Sequence, residues 1–535
     1  MSDNIFFHWS STNTIGKRIE SFKEGYRRNI ALLGNRSRID YIRYKYLSTC
    51  FDNEMIIYVN TSYIGGKELF SNIAHSLLSR YLKSHDSLDK MISAASYIIP
   101  STTSFIKKTL KNGSPISFLK PLELINKFIN ETSNRCILIL DEFTELRRIF
   151  KNFHQDFSKF IIFQNKCMII MTSSSISLAK KMLSSELNFL FGNFEHIDLN
   201  ENAYIENYFY FKKLLYPIKP TPMFMSFFAD IMGENTSYFD IIAKEIKKYY
   251  NDDESDCIKK VLKHNILKEE SYFFQRFIAR VDVIKGKFKN YVVPLEIIMA
   301  ISNGYMRKKE IASLNITKER DVLPQLNKLS ELNYISNNGD VYSIKDVLFS
   351  FWLSHVFSYY FYPITMDITA RERLFDAKLE ETIDIFRDTY LKDATERITD
   401  LITTFKDDYL KMRKQRIRLP HIDKTKVFSY PDKRFNFLVG EGKEIIFIGI
   451  KEDTADDNDI IDYIEKTQAF KNKKVKRIFI TLNGLSTSAR IIAKENRLIA
   501  WDVNDINDLL RIYRKPVIIN ENNSNIGYPY LYDKE

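Results

Sequence analysis

Hydrophobic positions along the chain follow two alternating periods. Short apolar runs recur at Arg28-Asn-Ile-Ala-Leu-Leu-Gly34, Met55-Ile-Ile-Tyr-Val-Asn60, Cys136-Ile-Leu-Ile-Leu-Asp-Glu-Phe143 and Lys166-Cys-Met-Ile-Ile-Met171, with His196-Ile-Asp-Leu199 as a further strand. Runs of this kind, without polar alternation, suit strands buried on both faces of a parallel sheet. Between them the period becomes helical, over residues 42–49, 67–83, much of 87–130, a stretch reaching Phe163, and 176–183. The βα alternation from residue 28 to 200 predicts a parallel sheet sandwiched by helices.

Beyond residue 200 the pattern changes. Residues 201–287 are helical and rich in Tyr, Phe and Lys; these aromatics read as core packing, and Asp252-Asp-Glu-Ser-Asp256 as a solvated loop. A helix ending at Gly304 precedes helices near 308–314 and 320–329, and a hairpin about Asn337-Asn-Gly-Asp340. Three helices and a hairpin predict a winged helix. Residues 347–364 lack Asp, Glu, Lys and Arg but hold His355, three serines and many aromatics, so a buried junction helix is expected, not a membrane span. Residues 365–410 read as helical, and Lys411-Met-Arg-Lys-Gln-Arg-Ile-Arg418 carries five basic residues without an acid. It reads either as a phosphate-neutralising segment or as a solvated helix end or linker. Past Pro420, two hairpinned strands (434–439 and 445–451), a helix, a strand (477–481), a helix and a last strand (498–501) complete the pattern.

Composition adds less. The 535 residues are 44% hydrophobic and 27% charged, a globular balance with material for several domains. A net charge of +11 favours polyanionic partners only weakly at this size. Cys50, Cys136, Cys167 and Cys257 lie far apart without metal or disulfide spacing, and residues 1–23 show no signal peptide; a reducing cytoplasm is expected.

Candidate chemistry gathers at strand ends. Asp141 and Glu142 end the most apolar run, where ligands of parallel sheets sit, and Thr172-Ser-Ser-Ser175 ends the next. The strand–glycine–helix at Gly34, Asn35, Arg36, Ser37 and Arg38 has the position of a phosphate-binding loop. Laying G-x-x-x-x-G-K-[ST] on it places Ile39, Asp40 and Tyr41 where Gly, Lys and Ser/Thr belong, so the loop lacks that chemistry. In the third presumed helix Lys318, Arg320, Gln325, Asn327 and Lys328 are candidate DNA contacts, though Glu319, Asp321 and Glu331 share the neighbourhood. Arg413, Lys414, Arg416 and Arg418 are candidate phosphate contacts.

These motifs together resemble the archaeal-type P-loop ATPases of the STAND class, relatives of the AAA+ and Orc-type initiators. Asp141-Glu142-Phe143 matches that family's strand-end D-E-F. Thr172-Ser-Ser-Ser-Ile-Ser-Leu178 matches its S-G-S-S-I-S-L element with two changes, and Asp346-Val-Leu-Phe-Ser-Phe-Trp352 its D-P-L-F-x-F-W signature with one. Phe191-Gly192-Asn193 stands where the family has F/Y-G-R. The resemblance implies a P-loop NTPase core (1–200), a helical lid (201–287) and a winged helix with its aromatic helix (288–364). A helical and basic linker (365–425), a PD-(D/E)XK restriction-endonuclease-like α/β domain (426–520) and a tail (521–535) follow. It implies ATP and Mg²⁺ as cofactors, Asp141 and Glu142 in Walker B roles with Asp141 on the metal, and Ser174 as sensor. In the nuclease motif, Asn436 and Gly449 replace the two metal-binding acids and Lys451 alone remains; Asp432 and Glu452 lie out of register as substitutes. Three functions stay open: a nucleotide-linked switch associated with double-stranded DNA, an inactive DNA-binding or protein scaffold using the winged helix, and a divergent nuclease.

Overall fold

The computed structural model describes residues 10–519 except 49–50, 52–53, 113, 152, 186, 188–193, 200–202, 252, 362–366, 413–415, 430–433 and 469–474. Arg413, Lys414, Asp432 and the segment 191–193 lie outside the described residues. The chain divides into two compact units, one of residues 1–206 with 234–237, the other of 207–233 with 238–535.

In the first unit β1 (Asn29–Leu33), β2 (Ile56–Asn60), β3 (Cys136–Asp141), β4 (Cys167–Ser173) and β5 (Phe194–Asp198) form one sheet in the order β2-β3-β4-β1-β5. Every pairing is parallel, so all carboxyl ends share one edge. The inner strands β1, β3 and β4 are buried at every position, which is why their sequences show no alternation. At the edge, β2 alternates buried and half-buried residues. Helices Arg36–Tyr41 (α1), which runs on as a π-helical segment through Leu47, and Gly66–Leu82 (α2) follow β1 and β2. The core joins Leu69, Leu77, Phe118, Phe128 and Phe157 to strand residues such as Leu138 and Ile169.

In the second unit, helices Val292–Ser302 (α3), Lys308–Ser313 (α4) and Glu319–Glu331 (α5) precede the hairpin β6 (Ile335–Asn337) and β7 (Tyr342–Ile344). Its turn is held internally: Asp340 N donates to Tyr409 O (2.9 Å), and Tyr409 N to the Asp340 carboxylate (2.8 Å). Gly339, at φ +98°, sits where a Cβ would lie 2.0 Å from Tyr409 O, so only glycine fits this contact. The aromatic run is a helix from Val347 to Phe361, buried over Leu348–Phe357 and half-buried in its last turn, with a π-helical stretch at Leu353–Phe357 and capped by Asp346. Among the described residues no helix is long and apolar enough to cross a membrane.

Two sequence expectations change here. The described part of the acidic cluster is a helix start, not a loop: Asp253 caps a helix over Glu254–Leu262, accepting from Asp256 N at 3.0 Å, and Asp252 lies outside the described residues. The basic run is not a helix end either. β8 (Asp408–Lys411) and β9 (Arg416–Leu419) pair as an antiparallel hairpin, because Leu410, Ile417 and Leu419 alternate inward while Lys411 and Arg416 face solvent. Arg418 is engaged by Glu444 at 2.8 Å and Asp407 at 2.9 Å. The last sheet runs β10 (Lys424–Ser429), β11 (Asn436–Glu441), β12 (Ile445–Lys451), β13 (Val475–Thr481), β14 (Ile499–Trp501), antiparallel for its first two pairings and parallel for the rest.

Candidate functional site

The parallel sheet brings Gly34 and the acid pair to the same edge. β1 ends beside β4, Leu33 opposite Ser173, and Gly34 N donates to Ser173 O at 3.2 Å. Asp141 closes β3, and Glu142 follows at φ 54°, a left-handed turn unusual for a residue with a side chain. Asp141 is fully buried and Glu142 nearly so.

Two buried carboxylates need compensation, and Arg36 supplies it. Asn35 caps α1 by accepting from Ser37 N, which sets Arg36 at the first turn. From there its guanidinium forks onto Asp141, Nη1 to Oδ1 at 3.0 Å and Nη2 to Oδ2 at 2.9 Å, and reaches Glu142 Oε1 at 3.4 Å. It also pairs with Asp40 one turn on, at 2.8 Å. Burial works against its charge, but the hydrogen bonds and charges of Asp141 and Asp40 prevail and raise its pKa above the ordinary arginine value. Tyr58 Oη donates to Asp141 Oδ2 (2.6 Å) and the Thr172 hydroxyl donates to Oδ1. Burial and that carboxylate raise the Tyr58 pKa. Asp141 thus accepts from four donors, about as many as a carboxylate can.

Glu142 is equally occupied. Its carboxylate takes the backbone N–H of Ser174 (3.0 and 3.2 Å) and the Ser173 hydroxyl (3.4 Å), while Thr61 Oγ1 donates to its carbonyl at 2.6 Å. Ser174 meets the acids through its amide, and its side chain is exposed; from the β4 end it is the Thr172 and Ser173 hydroxyls that address the acids. Mg²⁺ does not fit this arrangement, since the oxygens that would ligate it already face a cation and two hydroxyls. Among the described residues no cluster of three or more His, Cys, Asp or Glu could hold a metal.

The remaining candidates lie elsewhere. Arg38 turns from the sheet edge into a fully buried pair with Glu206, so it is not placed to meet a phosphate. Lys318, Arg320 and Asn327 are exposed on or beside α5; Lys328 donates to Lys287 O (2.7 Å) and covers Phe288, and Gln325 is half-buried. In the last sheet Asn436 pairs with Ile450, and Phe437 faces Gly449. A Cβ on Gly449 would lie 2.6 Å from the Phe479 ring and 2.8 Å from that of Tyr463. Aromatic rings therefore leave no room for a side chain at Gly449. Lys451 is paired with buried Asp459 at 2.5 Å, and Asn436 Nδ2 donates to Thr395 at 2.7 Å.

Arg36 stands in the loop as a phosphate candidate, but its place between the consensus positions conceals its role as counter-ion to the acids. The signal was present: an arginine at the first turn after a strand, four residues before Asp40, facing a strand that ends in two acids.

No protein-family model and no curated protein matches the chain. Solved structures similar to part of it include the Walker-type ATPase PABY2304 of Pyrococcus abyssi, at 15% identity and TM-score 0.43, covering 65% of this chain and 96% of that one. The Aeropyrum pernix ORC2 protein is similar at 10% identity and TM-score 0.38, covering 69% and 94%. The Thermotoga maritima RuvB Holliday junction branch migration motor is similar at 12% identity and TM-score 0.34, covering 66% and 96%.

Proposed function

We propose that the first unit is a P-loop-type ATPase sheet turned nucleotide-independent scaffold, with Arg36 as a built-in counter-ion where metal and phosphate would act. The observation that carries this reading is the forked Arg36–Asp141 pair, extended to Glu142 and Asp40. The strand order and the position of Asp141 support the ancestry; the saturated carboxylate and the missing loop lysine argue against turnover. Thermal unfolding tests it. Millimolar Mg-ATP is expected to leave the melting temperature unchanged, whereas a rise that Asp141→Ala abolishes would restore the nucleotide-linked switch.

The last sheet fits the same reading, as a restriction-endonuclease-like module without its metal acids. Its cleft position at Gly449 has no room for a carboxylate, and Lys451 is neutralised by Asp459. No Mn²⁺-dependent DNA cleavage is expected.

A second reading, duplex binding by α3–α5 as a winged helix, is favoured by the exposed Lys318 and Arg320, which with Lys308 and the acidic Glu319 line a shallow concavity of about 510 Å³. The internally held hairpin turn favours a structural role instead. If DNA binds, affinity falls steeply with salt, and Lys318→Ala with Arg320→Ala should reduce that log–log slope by roughly 2. A slope unchanged by the double substitution removes these residues from the interface.

A further inference from the structure

A concavity opens beside the β2 edge of the parallel sheet. It is a groove of about 730 Å³ between edge strand β2 and helix α2, within the roughly 300–1,000 Å³ of small-molecule sites. Its α2 wall is a polar stripe at helical spacing, Asn72, His75, Ser76, Ser79, Arg80 and Lys83, and His85 closes the end. Ile56 and Ile64 supply apolar surface opposite. No aspartate or glutamate lines it. Neighbouring carboxylates are engaged by other groups, Asp141 by Arg36 and Tyr58, Glu54 by Lys23 at 2.9 Å and Asp86 by the Ser84 hydroxyl at 2.7 Å.

Two features narrow the occupant. An edge strand invites a peptide to add as a further strand, but two of the outward donors of β2 are taken: Tyr58 N donates to Ser76 Oγ (2.9 Å) and Ile56 N to Glu54 O (2.9 Å). Strand addition is therefore disfavoured. Cations at a helix C-terminus also occur for their own sake, offsetting the helix dipole. That accounts for Lys83 at the cap but not for His75, about two turns earlier. It does not account for the carboxylate-free wall either.

We propose that this groove binds the phosphoryl group of a small molecule, held by His75, Lys83 and His85 with the Arg80 charge behind them. Arg80 is fixed in position by donating to Glu54 O at 2.8 Å. Tyr58 joins the groove to the acid pair, its ring lining the groove and its hydroxyl on Asp141. The proposal stands independently of whether Asp141 ever meets a nucleotide.

The test is a titration of the full-length protein with inorganic pyrophosphate, followed by proton–carbon spectra of its eight histidines. Saturable movement confined to the His75 and His85 rings is expected. Lys83→Asn with His75→Gln should weaken binding by about tenfold or more, read on His85; both positions are exposed, and asparagine suits the φ of 52° at Lys83. A nucleoside monophosphate should compete, and the uncharged nucleoside should not. Movement that never saturates, affinity unchanged in the double variant, or equal binding of the uncharged nucleoside would overturn the proposal.

Discussion

Asp141 has four donors, so the groups around it are not interchangeable. Arg36→Ala leaves buried Asp141 and Glu142 without their cation, and the Arg36 side chain is about one-third exposed. Discounted for that exposure, the loss is expected to be about 2 kcal/mol in denaturant unfolding. Adding Asp141→Asn should return part of it, because the charge needing compensation is gone; strictly additive losses would mean that the pair is not coupled. Tyr58→Phe removes one neutral donor and should lower stability by about 1 kcal/mol.

Elements were legible in proportion to how much of their sequence pattern local burial dictates. β3 and β4 are buried at every position, so their apolar runs marked them. The hairpin of β8 and β9 was harder, since a charge-rich run masked the alternation of Leu410, Ile417 and Leu419, and its register depends on neighbours distant in sequence. The acid pair could be read because strand ends are local, whereas the Arg36 fork joins residues 105 positions apart. At Gly449 the resemblance to a nuclease motif leads to the expectation of an acid, and the packing there has no room for one. Gly449→Ala is expected to cost about 1–3 kcal/mol against the Phe479 and Tyr463 rings. Gly449→Glu should unfold more readily still without gaining Mn²⁺-dependent cleavage; a variant as stable as the parent would show that the rings can move aside.

At the scale of the whole molecule, His355 is a clear source of pH response. His355, inside the buried aromatic helix, stacks on Phe351 at 3.8 Å and shares hydrogen bonds with Ser354 and Thr382. Burial, with the charges of Lys378 and Arg514, pushes its pKa down from 6.5 to about 3. The unfolded chain binds this proton first, so the stability His355 supports is intact above pH 6.5 and drains as the pH falls toward 3. The slope is up to roughly 1.4 kcal/mol per pH unit. His355→Gln should lack that component, its stability gaining on the parent during acidification; a constant difference between pH 7 and 4 would contradict it. The Arg36 fork has a consequence of a different kind. A sheet that carries its own cation cannot sense whether a cell is rich or poor in triphosphate, so on the proposed reading the protein keeps one posture from plenty to starvation, and any timing must come from whatever it meets.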